Sequence, residues 1–129
     1  MNDVELKQRT KRFALRVIQM TELLPRKTAA DVLGRQLVRS ATSVAANYRS
    51  ACRAKSRADF ISKMGTVEEE ADESALWLEL IAESQLSTTT CLRELLTEAN
   101  AFTAIAVTSI RTARARTANP QSAVRNPQS

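Results

Sequence analysis

The stretch FISKMGTVEEEADESALWLELI, residues 60–81, indicates the fold more clearly than any other part of the chain. Its apolar and small residues recur at alternating intervals of four and three, the spacing of core positions in a helix that packs against other helices. These positions are Phe60, Met64, Val67, Ala71, Ser74, Leu78 and Ile81. The stretch therefore predicts one long helix of a helical bundle.

Helical periodicity on either side predicts three further helices. The four predicted helices cover residues 4–24, 28–54, 56–84 and 89–116. Because the connections are short, an antiparallel up-down four-helix bundle is the simplest all-α architecture, with its domain over residues 1–118. Residues 119–129 contain NPQS twice and few apolar residues, which predicts a disordered C-terminal tail.

Three polar sites are predicted to begin helices. Thr28 with Asp31, and Ser56 with Asp59, have the spacing of a capping box in which Asp replaces the usual Glu or Gln. Ser87 is the predicted cap of the last helix, because it lies in the polar turn QLSTTT.

Composition favours a cytoplasmic protein. No segment approaches the roughly 18 consecutive apolar residues of a membrane span. The first residues, MNDVELKQRTKRFALR, are charged throughout and lack the apolar block of a signal peptide. Cys52 and Cys91 have no CxxC spacing, so they are interpreted as small buried apolar residues rather than as a disulfide or a metal site.

The net charge of +5 is distributed in blocks. Residues 7–63 contain 14 Lys and Arg against three acids, and residues 64–98 contain one Arg against nine acids. Residues 99–129 contain four Arg and no acid. Such blocks indicate a basic surface and an acidic surface. These surfaces bind a charged partner, form contacts between subunits, or simply keep the outer faces of the helices solvated.

Helix two carries a basic arc. At 100° per residue, Arg35, Arg39, Arg49 and Arg53 lie opposite its apolar side, and Arg57 extends the arc if the helix continues. The arc from Arg35 to Arg53 spans roughly 27 Å and suits a phosphate backbone. It has no aromatic residue for stacking on bases, so sequence-specific reading of a single strand is not expected.

The candidate nucleic-acid-binding residues are Arg35, Arg49, Arg53, Lys55 and Arg57. Two alternatives to phosphate binding stay open at this point. In the first, the arginines only solvate the outer face of helix two. In the second, Arg39 or Arg49 pairs with acids of helix three, in the same subunit or a neighbouring one.

Leu76, Trp77 and Leu80 fall outside the core positions of helix three, beside several glutamates. An apolar patch of this kind predicts a covered surface, and an oligomer interface is the preferred interpretation. The alternative is a wide core face that is covered by helix one or helix four.

The residues needed for most catalytic chemistry are missing. The chain has no histidine, which excludes His-dependent triads and His-ligated zinc. Its two glycines form no phosphate-binding loop. Glu70 and Glu73 lack the Glu-x-x-His partners of a di-iron site. The sequence therefore predicts a non-enzymatic protein without a metal or other cofactor.

The string QLVRSATSVAANYRSACRAKSRADFISKMG (36–65), followed by EEADESALWLELI (69–81), resembles the four-helix-bundle protein family, also called 23S rRNA intervening-sequence proteins. The resemblance covers about residues 12–116. It implies a small bundle that assembles as a ring-shaped homopentamer. Some members are encoded in insertions within ribosomal RNA genes. Others resemble the accessory variability protein of diversity-generating retroelements, which contacts a reverse transcriptase and nucleic acid.

The resemblance also implies a set of characteristic residues. Phe60 and Lys63 belong to this set at the start of helix three. Those assigned to an oligomer interface or to structural pairing are Arg39, Ser40, Ser43, Asn47, Glu70, Glu73 and Trp77. Arg39 with Glu70 or Glu73 would form a charge-assisted pair, which makes Arg39 less suitable as a phosphate contact.

Together these observations predict a cytoplasmic bundle that forms a homo-oligomer, a pentamer by the resemblance. It presents a basic surface to ribosomal RNA, to retroelement RNA or DNA, or to a nucleic-acid enzyme such as a reverse transcriptase. The alternative is a protein-interaction scaffold whose charged faces serve only assembly.

Overall fold

The structure is a computed structural model that describes residues 1–87 and 89–118, and these residues form four helices and no strand. The helices are α1 (Asp3–Glu22), α2 (Thr28–Cys52), α3 (Arg57–Glu83) and α4 (Thr90–Ala118). The predicted all-α fold with four helices is confirmed, with each boundary within two residues of the prediction. The predicted disordered tail, residues 119–129, lies outside the described residues.

Side-chain contacts show that successive helices run antiparallel. The Arg9 and Arg16 side chains on α1 bind Glu98 and Glu94 on α4, so the later residue of α1 meets the earlier residue of α4. The phenol of Tyr48, near the end of α2, donates to the Asp3 carboxylate at the start of α1 over 3.3 Å. The arrangement is therefore an up-and-down bundle.

The predicted core positions of α3 are buried, apart from half-buried Phe60 at the N-terminal end. On α4 the buried face includes Leu92, Leu95, Ala99, Phe102 and Ala106, whereas Leu96 is half-buried. Ser74 is the polar member of the α3 seam. Its hydroxyl donates to the Ser40 hydroxyl of α2 over 2.8 Å, and both side chains are fully buried. Two small residues at this position let α2 and α3 approach closely.

The smallest interface between neighbouring helices is that of α1 with α4. The rings of Phe13 and Phe102 meet there edge to face, with centroids 5.3 Å apart. The Arg9 guanidinium lies 5.3 Å from the centre of the Phe102 ring and binds Glu98 through two hydrogen bonds of 2.7 and 2.6 Å. The hydrogen bond with Glu98 raises the pKa of Arg9, so the guanidinium stays charged.

One of the three predicted helix caps is confirmed. The Ser56 hydroxyl accepts from the Asp59 N–H over 3.0 Å, as a capping residue should. The predicted Thr28–Asp31 cap is wrong, because Thr28 already lies inside α2 and the preceding residue, Lys27, makes no side-chain capping bond. The prediction of Ser87 as the cap of α4 is also wrong. The cap is Thr89, whose hydroxyl accepts from the Leu92 N–H over 3.3 Å.

Both cysteines are free and half-buried. Cys52 lies near the phenol of Tyr48, whose pKa is raised above its usual value by burial and by Cys52 and Asp3. Cys91 receives a long contact from the Arg16 guanidinium, 3.7 Å from Nη2 to Sγ. Both thiols are free, as the sequence-based interpretation has it, but the side chains are half-buried at the edge of the core rather than buried within it.

Candidate nucleic-acid interface

The antiparallel topology collects cations at one end of the bundle. The start of α1, the end of α2, the start of α3 and the end of α4 all lie at this end, which we call the basic end. The cations of this end include Lys7, Arg9, Lys11, Arg49, Arg53, Lys55, Arg57, Arg111, Arg114 and Arg116. Much of the positive charge is therefore concentrated at one end, although it is scattered along the sequence.

A cleft of about 400 Å³ lies between α1 and α2 at the basic end. Lys7 and Lys11 of α1 form one wall, and Arg49 and Arg53 of α2 form the other. We call it the basic cleft; its floor is made of the small residues Ala45, Ala46 and Ser50. None of the described residues that line the cleft is acidic. Three of the four cations are exposed and Lys7 is half-buried, so their charged groups reach solvent.

Lys7 and Lys11 were not among the candidates that the sequence indicated. Their spacing of four places them on one face of α1, which is a detectable signal in the sequence. The sequence does not show that this face of α1 lies beside Arg49 and Arg53 of α2. That neighbourhood depends on how α1 is rotated against α2.

The structure separates the other candidate residues. Arg35 lies toward the opposite end of α2, in a different surface cleft that also contains Glu22 and Asp31. The condition under which Arg57 would extend the basic arc is not met, because α2 ends at Cys52 and the chain turns before α3 begins at Arg57. Lys55 and Arg57 instead line a second pocket at the basic end.

Arg39 binds both glutamates of α3 within the same chain. Its Nη1 lies 3.1 Å from Glu70 Oε2, and its Nη2 lies 2.5 Å from Glu73 Oε1. The remaining donor, Nε, is 3.1 Å from the side-chain oxygen of Gln36. Each of the three guanidinium nitrogens thus makes one hydrogen bond within the chain, and the group ties α2 to α3, which makes it less suitable as a phosphate contact.

The small polar residues of α2 also have partners within the chain. Ser40 is buried against Ser74, as described above, and its hydroxyl also donates to the Leu37 carbonyl. The Asn47 amide donates to the carbonyl and the hydroxyl of Ser43, both over 2.9 Å, within one turn of α2. In the single chain these side chains therefore support α2 and its contact with α3.

The apolar patch of α3 divides into two parts. Leu76 and Leu80 are 45% and 39% exposed, whereas Trp77 is half-buried and packs against the core. The indole N–H of Trp77 is buried without a hydrogen-bond partner. Helical spacing places Asp72 and Glu73 one turn before Leu76. The outer face of α3 is therefore an apolar pair on an acidic helix.

No group of three or more potential metal ligands is found in the described part of the chain. Glu70 and Glu73, the pair with the spacing of a carboxylate site, bind Arg39 instead. Within the same residues, no helix is both long and apolar enough to cross a membrane.

Comparisons with known proteins agree with this fold. A solved structure from Bacteroides thetaiotaomicron, described as a protein with unknown function from the S23 ribosomal protein family, is 31% identical to this chain. The two superpose with a TM-score of 0.77, over 86% of this chain and 99% of the other. No curated protein matches the chain significantly. The profile of the family described as 23S rRNA-intervening sequence protein matches residues 2–108. The chain therefore belongs to the 23S rRNA-intervening sequence protein family.

Proposed function

We propose that this protein is a non-catalytic, cytoplasmic protein that binds the phosphate backbone of a nucleic acid in the basic cleft. The observation that supports the proposal is the placement of Lys7 and Lys11 opposite Arg49 and Arg53 with no acid among the described lining residues. Ribosomal RNA is the first nucleic acid to test, because the description of the family refers to an intervening sequence of 23S rRNA.

The chemistry of the cleft favours the backbone over the bases. Four cations on two walls can approach a strand of phosphates from both sides, and the small floor leaves room for it. The described lining contains no aromatic ring on which a base could stack and no Asn or Gln that could read a base edge. We therefore expect affinity that depends on charge and varies little with sequence.

We expect the affinity for nucleic acid to depend strongly on salt concentration, with equal contributions from the two walls of the cleft. Lys7→Ala with Lys11→Ala, or Arg49→Ala with Arg53→Ala, should each lower the slope of log affinity against log salt by about two. Binding near 100 mM salt should weaken roughly tenfold for either double variant. Fluorescence anisotropy with a labelled duplex RNA, from 50 to 300 mM salt, measures both quantities.

A matched control removes two cations from the other end of the bundle. Arg26→Ala with Lys27→Ala changes the net charge equally, roughly 40 Å from Arg53 along α2, and Lys27 makes no capping bond that would be lost. This variant should keep the wild-type slope within about 0.5. Equal losses in the control and the cleft variants would reject the cleft as the site. Absence of binding to RNA and DNA at 50 mM salt would reject the function.

We also propose that the protein assembles with itself through the outer face of α3, as a ring of five according to the family resemblance. A nucleic-acid enzyme such as a reverse transcriptase is a further proposed partner. The specific observation is the exposure of Leu76 and Leu80, adjacent residues of one acidic helix face. Apolar residues paired in this way favour a covered surface, and the basic faces of a second copy would complement the surrounding acids.

Leu76→Gln with Leu80→Gln should lower the mass of the assembly in sedimentation or light scattering, because both changes place an amide in the proposed contact. Leu23→Gln with Val32→Gln serves as the control, since these side chains are 83% and 55% exposed. Leu23 lies in the connection between α1 and α2, and Val32 lies on α2. An α3 variant with the wild-type mass would exclude this face as the interface.

A further inference from the structure

A second pocket, of about 520 Å³, opens at the basic end between the α2–α3 connection and the last turns of α4. Its volume lies within the range of roughly 300–1,000 Å³ in which proteins hold small ligands. Cations, one aromatic side chain and several hydroxyl groups line the pocket. We call it the end pocket.

Three cations line the end pocket: Lys55, Arg57 and Arg116. None of its described lining residues is acidic. The nearest acid in sequence, Asp59, does not line the pocket, and its carboxylate accepts from the Lys55 N–H over 3.1 Å at the start of α3. The charge of the pocket therefore favours an anion, and the side chains of Lys55 and Arg116 suit the oxygens of a phosphate.

Phe60 supplies an apolar surface beside these cations. Its side chain is half-buried, packs against the core on one side and borders the end pocket. An aromatic ring held in place by a core is the kind of platform on which a nucleobase stacks. Neither the basic arc of α2 nor the basic cleft has such a ring.

Hydroxyl groups of α4 complete the lining. Thr108, Ser109 and Thr112 come from successive turns of the helix and border the pocket. A hydroxyl can both donate and accept, so these groups match the mixed edges of a base or the hydroxyls of a ribose. Cations, an aromatic ring and hydroxyls in one pocket of this size are the three chemistries that a nucleotide requires.

We propose that the end pocket binds a single nucleotide, with its phosphate on Lys55 and Arg116 and its base on Phe60. The nucleotide is either free in solution or the unpaired end of a strand that lies in the basic cleft. The second source rests on the proposed function. It is favoured by position, because Arg53 of the cleft and Lys55 of the pocket are two residues apart where α2 turns into α3.

The test compares two labelled RNA duplexes that differ only in a four-nucleotide single-stranded 3′ overhang. We expect the full-length protein to bind the overhang duplex about tenfold more tightly than the blunt one, because one stacked base is gained. Phe60→Leu keeps an apolar side chain against the core but removes the ring, so it should abolish the tenfold preference. Its salt slope on the blunt duplex should stay that of the wild type.

Two further variants separate stacking from a general loss of structure. Phe60→Tyr keeps the ring and should keep the preference. Lys55→Ala leaves the ring and the core intact and should reduce the preference severalfold, because it removes a phosphate contact. Thermal unfolding by circular dichroism verifies that each variant is folded.

Adenosine monophosphate alone, titrated by calorimetry, distinguishes the two sources. Binding that Phe60→Leu removes would indicate a pocket for free nucleotides, whereas a preference seen only with the overhang would indicate a strand end. Equal binding of both duplexes together with no effect of Phe60→Leu on adenosine monophosphate would overturn the inference while leaving the cleft in place. Failure of the blunt duplex to bind would instead count against the proposed function.

Discussion

Phe102→Ala is expected to lower the free energy of unfolding by about 3–5 kcal/mol, the usual cost of truncating a buried phenylalanine. The Phe102 side chain is 2% exposed and meets Phe13 edge to face at the narrow interface between α4 and α1. The truncation leaves a cavity and also removes the surface on which the Arg9 guanidinium lies. This loss is large for a domain of this size, because total stabilities are commonly about 5–15 kcal/mol.

Equilibrium unfolding in urea measures this loss. Phe102→Leu is the matched variant: it retains most of the buried volume and should cost less than half as much. Because α1 carries Lys7 and Lys11, a loosened α1 should also weaken nucleic-acid binding in the basic cleft. A loss below about 1 kcal/mol for Phe102→Ala would show that the α1–α4 interface does not depend on this ring.

Arg39→Ala should lower the free energy of unfolding by about 2 kcal/mol, between the values typical of exposed and of buried ion pairs. The Arg39 side chain is 48% exposed, but the Glu70 side chain that it binds is only 14% exposed. Removing the guanidinium leaves Glu70 mostly buried without its partner and places two carboxylates, Glu70 and Glu73, side by side on α3.

Two variants verify the origin of this effect. Arg39→Lys keeps the charge but cannot bind both carboxylates with a planar fork, so it should restore less than half of the loss. Arg35→Ala removes an exposed arginine one turn earlier on α2 and should cost less than about 0.5 kcal/mol. Urea unfolding of the three variants gives the comparison. Equal stability of Arg39→Ala and Arg35→Ala would mean that the pair contributes only as a surface contact.

The periodic spacing of apolar residues was sufficient to predict four helices and most of the core. In α3 the seam from Met64 to Ile81 could be read from the sequence, because burial of one face is what makes a long helix stable in a bundle. The caps were harder to predict. Thr28 and Ser87 have the right side chains, but a cap is chosen by the backbone conformation where the chain enters the helix, and several polar residues in a row compete for that position.

The candidate site was predictable only in part. Arg49 and Arg53 could be recognised from one helix, since they lie on the face opposite its apolar residues. Their neighbours Lys7 and Lys11 are about 40 positions away in the sequence, and no pattern within α2 points to them. Arg57 would have extended the same arc had α2 continued, but the turn after Cys52 places it with Lys55 in a different pocket.

Local patterns thus specify which residues form helices, which face of each helix is apolar and which segments carry the charge, because these properties depend on neighbours within a few turns. Which residues come together from different helices is decided by tertiary packing. Lys7 and Arg53 line one cleft, Arg39 binds Glu70 and Glu73, and Phe60 and Arg116 line one pocket. These groupings depend on the rotation and register with which amphipathic helices pack, and those are set by the interlocking of side chains throughout the core.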